Sequence, residues 1–210
     1  MFDFKTIENA LIEFDESKVL KLVQNALDQG VAAKEILNQG LIAGMDVVGE
    51  KMESEEMFIP EVLMAAKTMS SAVDILKPLL ADGDITAMGK IVIGTVKGDL
   101  HDIGKNLVAM MLESAGFEVY NLGVDISPDK FVEEINEKNA NLVCLSALLT
   151  TTMPMMKQTI DAVAESGLRD RVKIMVGGAP VTENYAKTIG ADGYAPDAGS
   201  ATKLAKTLLQ

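Results

Sequence analysis

The only histidine of the chain, His101, lies in Gly98-Asp99-Leu100-His101-Asp102-Ile103-Gly104, the stretch whose residue types and spacing could do chemistry. Asp99 and His101 are two apart. In an extended loop both side chains therefore point to one side, and the carboxylate can accept the Nδ1 proton of the imidazole. That pairing fixes the tautomer and leaves Nε2 as a lone-pair donor toward a metal. The competing reading is a solvated loop histidine. One imidazole cannot build a protein-only zinc site, which takes three or four ligands. A metal bound here would have to arrive with its other ligands already attached.

The elements that must position this pair are a strand and a helix. Lys90-Ile91-Val92-Ile93-Gly94-Thr95-Val96 precedes the loop as an apolar strand-like run, and an amphipathic run from Lys105 to Ser114 follows it. Strand-to-helix loops lie at the carboxyl edge of a parallel sheet, where doubly wound folds bind ligands. From Lys90 onward strands are predicted at 90–96, 117–122, 142–146, 172–176 and 192–195, alternating with helices at 104–115, 128–138, 153–166, 182–189 and 198–209. The strand runs are short and almost continuously apolar, as in a parallel sheet covered on both faces. Right-handed crossovers then give a five-stranded, flavodoxin-like (Rossmann-like) α/β/α sandwich in the order 2-1-3-4-5.

In that order four strand-end loops share one edge. They are 98–104, Ser146-Ala147-Leu148-Leu149-Thr150-Thr151-Thr152, Gly177-Gly178-Ala179 and Ala195-Pro196-Asp197-Ala198-Gly199, while Gly123-Val124-Asp125 falls off to the side. Glycines that make turns and hydroxyls that cap helices would explain each loop separately. Together, small residues and hydroxyls on one edge would also admit a long, flat or chain-like group close to the backbone.

The first 80 residues read as helix throughout. Helices are predicted over 5–13, from the Asp15–Ser17 cap to Gly30, over 32–52, and from Pro60 to about 80, and a four-helix bundle is the simplest packing. The third would bury Ile36, Leu37, Leu41, Ile42, Met45, Val48 and Met52, and the fourth Val62, Leu63, Ala66, Met69, Val73, Leu76 and Leu80. The polar, glycine-containing stretch 81–89 is the expected linker.

Composition narrows the function. A formal net charge of -12 over 210 residues argues against nucleic acid, which needs a basic patch. No apolar run approaches the ~20 residues of a membrane span, and the first residues lack the layout of a signal peptide. The single cysteine, Cys144, cannot form an internal disulfide and reads as a buried strand residue. A cytoplasmic location is the expectation. Thirteen methionines are core filler by default, although a methionine-rich face can adapt to a bulky ligand.

Asp99-x-His101-x-x-Gly104, then Ser146-x-Leu148, then Gly177-Gly178 resembles the three-part signature of cobalamin-binding domains of the methionine synthase type. The helical segment resembles the cap module that accompanies that domain there and in small corrinoid proteins of methyltransferase systems. The resemblance implies a helical cap over 1–88 and a cobalamin (B12)-binding α/β domain over 89–210. His101 would be the lower axial ligand of cobalt after the nucleotide base has left (base-off/His-on), Asp99 its hydrogen-bond partner and Ser146 the next member of the relay. Gly98, Leu100 and Asp102 would line the loop under the corrin, Gly104 would admit the nucleotide tail, and Ile103 between them would be cofactor-binding as well. Thr150, Gly177, Gly178 and Ala198 match positions that line the slot for that tail, and Leu148 belongs with the cofactor-binding residues. Met57–Met64 resembles the segment that covers the methyl face, making Phe58 a candidate along with Val62 and Met69; bundle core is the other reading for the last two.

The implied function is a corrinoid methyl carrier that alternates between Co(I) and methyl-Co(III). Its partners would be a substrate:corrinoid methyltransferase, a second methyltransferase acting on tetrahydrofolate or a thiol, and a reductive activator. With no substrate barrel, the chain alone would not turn over. The alternative is a cobalamin-binding sensor, a class that usually carries a basic DNA-binding segment ahead of these modules. A receiver or flavin domain would leave Asp99, His101 and Ser146 unexplained, and a mutase small subunit would have no use for the helical module.

Overall fold

A computed structural model of the chain describes residues 2–80 and 88–210. Residues 81–87, most of the stretch expected to serve as linker, lie outside them. The chain divides into two compact units, residues 1–86 with 114–116, and residues 87–113 with 117–210.

The helical unit begins with α1 (Lys5–Ile12) and α2 (Glu16–Asp28), and the Asp15 carboxylate caps α2 by accepting from the Lys18 amide at 3.0 Å. The third helix differs from the single predicted run. It is built of α3 (Ala33–Glu35), a π-helical segment (Ile36–Ile42) and α4 (Ala43–Glu53). A π-turn inserts one residue into the helical period, and an apolar pattern read at 3.6 does not register it. The glycines of this region mark where α1 comes close. A Cβ on Gly40 would stand 3.1 Å from Ile7 Cγ2, and one on Gly44 would stand 2.7 Å from Leu11 Cδ2. Gly40 and Gly44 are accordingly buried, whereas Ile42 and Met52, expected inside, are only half-buried.

Helix α5 (Ile59–Leu76) opens with Pro60 in its first turn, and the Glu61 carboxylate reaches back to the Phe58 amide at 2.8 Å. Val62, Ala66, Met69 and Leu76 pack into the core of the unit, while Leu63, expected beside them, is exposed. A single 3-10 turn (Lys77–Leu79) follows.

The second unit is a parallel sheet in the order β2-β1-β3-β4-β5, with β1 (Lys90–Thr95), β2 (Glu118–Asn121), β3 (Leu142–Ser146), β4 (Lys173–Gly177) and β5 (Gly193–Tyr194). The crossovers are α6 (Ile103–Ser114), α7 (Pro128–Lys138), α8 (Met153–Glu165) and α9 (Glu183–Ile189), with α10 (Ala198–Leu208) closing the chain. Burial of the central strands follows from their apolar runs: Ile91, Val92, Val143, Leu145, Ile174 and Val176 are all inside, as is Cys144. One register row matters for the site. Thr95 pairs with Ser146 and Ser146 with Gly177, so β1, β3 and β4 end level and release their loops from one line. Among the described residues no helix is long and apolar enough to cross a membrane.

Candidate functional site

Asp99 is fully buried at the head of the loop after β1. Its Oδ1 accepts from His101 Nδ1 at 2.7 Å and from the His101 amide at 3.1 Å. Its Oδ2 accepts from the amides of Leu148 and Leu149 at 2.8 and 3.2 Å and from the Thr152 hydroxyl at 2.7 Å. A buried carboxyl group is pushed toward the neutral form, but here the donors win. Burial raises the pKa, while the Thr152 hydroxyl, the His101 ring and the Leu148 and His101 amides together hold it well below the usual carboxylate range. Asp99 is therefore an anion, and an anion only accepts. Nδ1 of His101 must then donate, which leaves the lone pair on Nε2.

Three elements hold this arrangement. Strand β1 delivers Asp99, and the buried Thr95 hydroxyl donates to the His101 carbonyl at 2.8 Å, fixing the backbone of the histidine. The loop after β3 supplies two amides. Thr152, the N-cap residue of α8, makes no side-chain cap of its own helix; its one hydroxyl proton goes to the carboxylate of Asp99, the shorter contact, with the Leu149 carbonyl 2.9 Å from the same oxygen. The positive end of α8 thus faces the carboxylate, an added reason for its ionised state.

Asp99 and His101 are thus bonded, but the expected next member of the relay is not where the sequence put it. Ser146 ends β3 half-buried, and its hydroxyl is not among the five donors on Asp99; Thr152 takes that place. Strand geometry gives the reason. Ser146 sits in the register row facing Thr95, whereas six residues of turn bring Thr152 back over Asp99. Three adjacent threonines announced a hydroxyl here without saying which one.

Gly98, Leu100, Asp102, Ile103 and Gly104 are all exposed around His101, as are Leu148, Leu149 and Thr150 on the neighbouring loop. Gly177 ends β4 half-buried, and Ala198 is buried in the first turn of α10. Gly178 has a packing reason of its own: its φ is +130°, and a Cβ there would stand 1.9 Å from the Ala147 carbonyl oxygen. In the helical unit Phe58 is 67% exposed, while Val62 and Met69 are buried and belong to the bundle core.

Sequence reasoning also missed polar residues on the β2 side. Gly123-Val124-Asp125, expected off to the side, is bonded into the loop through Asp125 and the Gly98 amide at 2.7 Å. Lys105 is buried in the first turn of α6, where its Nζ donates to Asn121 Oδ1 at 2.7 Å. Burial lowers its pKa, against the opposing charge of Asp102.

The donor set decides what could bind. Among the described residues no group of three or more His, Cys, Asp or Glu side chains could hold a bare metal ion. His101 offers one nitrogen from a half-exposed ring, and Leu100 and Ile103 beside it are 72% and 79% exposed. Apolar side chains this exposed around one imidazole fit a metal that brings its own planar, largely apolar ligand.

Comparisons with known proteins point the same way. A family model described as B12 binding domain matches residues 89–203, and a second of the same description matches residues 4–77. The chain is 46% identical over 204 residues to dimethylamine corrinoid protein 1 of Methanosarcina acetivorans, covering 97% of this chain and 95% of that one. It is similar to the crystal structure of a cobalamin-binding protein from Desulfitobacterium hafniense DCB-2, at TM-score 0.86 and 35% identity with 99% of both chains covered. It also resembles a chain of the methanol:cobalamin methyltransferase complex MtaBC of Methanosarcina barkeri, at TM-score 0.86 and 27% identity, covering 98% of this chain and 79% of that one. A buried carboxylate locking one imidazole on an apolar rim, within a chain matched along nearly its whole length, leads to one conclusion: this protein belongs to the B12-binding family, as a small corrinoid protein of a methyltransferase system.

Proposed function

We propose that the protein carries methyl groups between two methyltransferases, holding its corrinoid base-off with His101 Nε2 toward cobalt. The corrinoid supplies the chemistry of accepting and releasing methyl; the chain binds, orients and shields. The observation that carries the reading is the Asp99–His101 hydrogen bond of 2.7 Å, made by a carboxylate that is fully buried and satisfied by five donors. Such a carboxylate keeps the proton on Nδ1 and raises the donor strength of Nε2, as acidic partners do for metal-bound histidines. Thr152 donates to the same carboxylate, so a proton leaving or entering this chain would be felt at Nε2.

The exposed loop residues Gly98, Leu100, Asp102, Ile103 and Gly104 are the surface we assign to the corrin face. Ser146, Leu148, Thr150, Gly177, Gly178 and Ala198 are assigned to the nucleotide tail. Phe58, an aromatic ring left two-thirds exposed, is the candidate for shielding the methyl group. A substrate:corrinoid methyltransferase would load methyl, a second methyltransferase would pass it to tetrahydrofolate or a thiol, and a reductive activator would restore the carrier. Relatives named for dimethylamine make that compound the first donor to test.

The test is an absorbance spectrum after reconstitution with methylcobalamin, wild type against His101→Ala. A base-off, histidine-ligated spectrum that disappears in the variant supports the proposal. A bound corrinoid whose own nucleotide base stays on cobalt in the wild type would refute it.

A further inference from the structure

We propose that Asp125 is a positioning residue that holds the His101 loop from the β2 side. The proposal rests on the reading of His101 as a cobalt ligand and adds a residue outside the three signature motifs.

The observation is a two-point grip on one short segment. Asp125 Oδ1 accepts from the Gly98 amide at 2.7 Å, and the Asp125 amide donates to the Asp99 carbonyl at 3.0 Å. The two residues immediately before Leu100-His101 are thereby clamped by a single side chain and its own backbone. Both sides of the clamp occupy the left-handed region, Gly98 with φ +82° and Asp125 with φ +57°. Glycine enters it freely; aspartate and asparagine are the side-chain-bearing residues that do so most readily. Position 125 therefore asks for a backbone that few residues accept and for an acceptor one methylene from the backbone, and aspartate meets both demands.

The frame around the clamp is itself hydrogen-bonded. After β2 the chain keeps pairing with β1: Thr95 donates to the Gly123 carbonyl and Ile126 to the Thr95 carbonyl, each at 3.0 Å, and Val96 bridges to Ile126. Asn121 Oδ1 accepts from the Gly123 amide at 3.1 Å and from the buried Lys105 at 2.7 Å, fixing the start of the segment. On the far side Thr95 Oγ1 holds the His101 carbonyl, and Thr152 and the Leu148 and Leu149 amides hold the Asp99 side chain. Without Asp125 the loop would keep its grips from the end of β1 and from the β3 side and lose the side-chain grip from the β2 side.

Asp125 is exposed, so water can replace its oxygen at the Gly98 amide with little loss of fold stability. What water cannot replace is the fixed distance between Asp99 and the edge of the sheet. A ligand held a fraction of an ångström out of place loses its bond even where the fold is intact.

The experiment uses the full chain, wild type and Asp125→Asn, Asp125→Gly and Asp125→Ala, with two readouts. In the cofactor-free protein, amide hydrogen exchange is followed at Gly98 and Asp125. In ¹⁵N-labelled protein loaded with hydroxocobalamin and reduced by one electron, the cobalt EPR signal reports a doublet where a protein nitrogen is bound and a triplet where the unlabelled nucleotide base is bound. Asp125→Asn keeps acceptor and conformation and should match wild type. Asp125→Gly keeps the conformation without the acceptor. It should raise Gly98 exchange by roughly tenfold or more, as local opening does, and lose much of the doublet while the unfolding midpoint stays near wild type; Asp125→Ala should do the same or worse. Wild-type exchange and a full doublet in Asp125→Gly would overturn the proposal. A wild type without the doublet would instead overturn the histidine reading, and the exchange arm would then decide alone whether Asp125 anchors the loop.

Discussion

Asp99 is inside the protein and charged, and five donors make that tolerable. Its depressed pKa has a stability consequence with a definite sign. The contribution is complete above the unfolded value near ~3.9 and is lost as pH falls through the lower, folded value. The corrinoid-free protein should therefore lose stability below about pH 4, with up to ~1.4 kcal/mol per pH unit from this group. In Asp99→Asn that part of the acid limb should be missing, which urea unfolding between about pH 2 and 5 would check. The second residue-scale prediction separates Thr152 from Ser146. Thr152→Val removes a hydrogen bond to a charged group and should cost about 1.5–3 kcal/mol. Ser146→Ala should stay within about 0.5 kcal/mol, and Thr152→Ser should recover most of the loss. A larger cost for Ser146→Ala than for Thr152→Val would mean that the hydroxyl has been wrongly assigned.

At the scale of elements, two glycines let backbones meet, and they should respond differently to a methyl group. Alanine at Gly178 would drive a Cβ to 1.9 Å from the Ala147 carbonyl oxygen with φ at +130°. Backbone must move there, so the expected cost is about 3 kcal/mol or more. At Gly44 the nearest atom is Leu11 Cδ2 at 2.7 Å, the end of a flexible side chain. Gly44→Ala should cost about 1–2 kcal/mol, partly offset by better helix propensity. Chemical denaturation of the two variants tests the ranking. The same close approach of α1 accompanies the π-helical segment, whose extra residue a 3.6-residue pattern passes over. Leu63 shows the converse limit: one residue on from buried Val62 and about 100° round the helix, it is left exposed although it is apolar.

For the whole molecule, ligand linkage gives a quantitative expectation. A corrinoid present at about 100 times its Kd should add roughly 2.7 kcal/mol to the unit that holds it. His101→Ala should reduce that increment, and in the corrinoid-free protein it should also cost part of what a hydrogen bond to the buried Asp99 carboxylate is worth, water replacing the rest where the half-exposed ring stood. Hydrogen exchange, which follows each unit separately, is the suitable measurement, since one melting curve need not describe two compact units.

Local sequence determined much of this protein. Strand and helix runs, the helical first half and the two-residue spacing of Asp99 and His101 all depend on periodicities and neighbours that a single segment encodes; the order of the sheet followed from them only through the right-handedness of crossovers. The partners of that pair were decided elsewhere. Thr152 reaches Asp99 across 53 residues and Asp125 reaches Gly98 across 27. Whether Thr152 or Ser146 arrives depends on strands ending in one register row and on how the following turn folds back. A hydrogen bond between distant segments forms where the packed backbone brings donor and acceptor to within about 3 Å, and that distance exists only after the sheet has assembled.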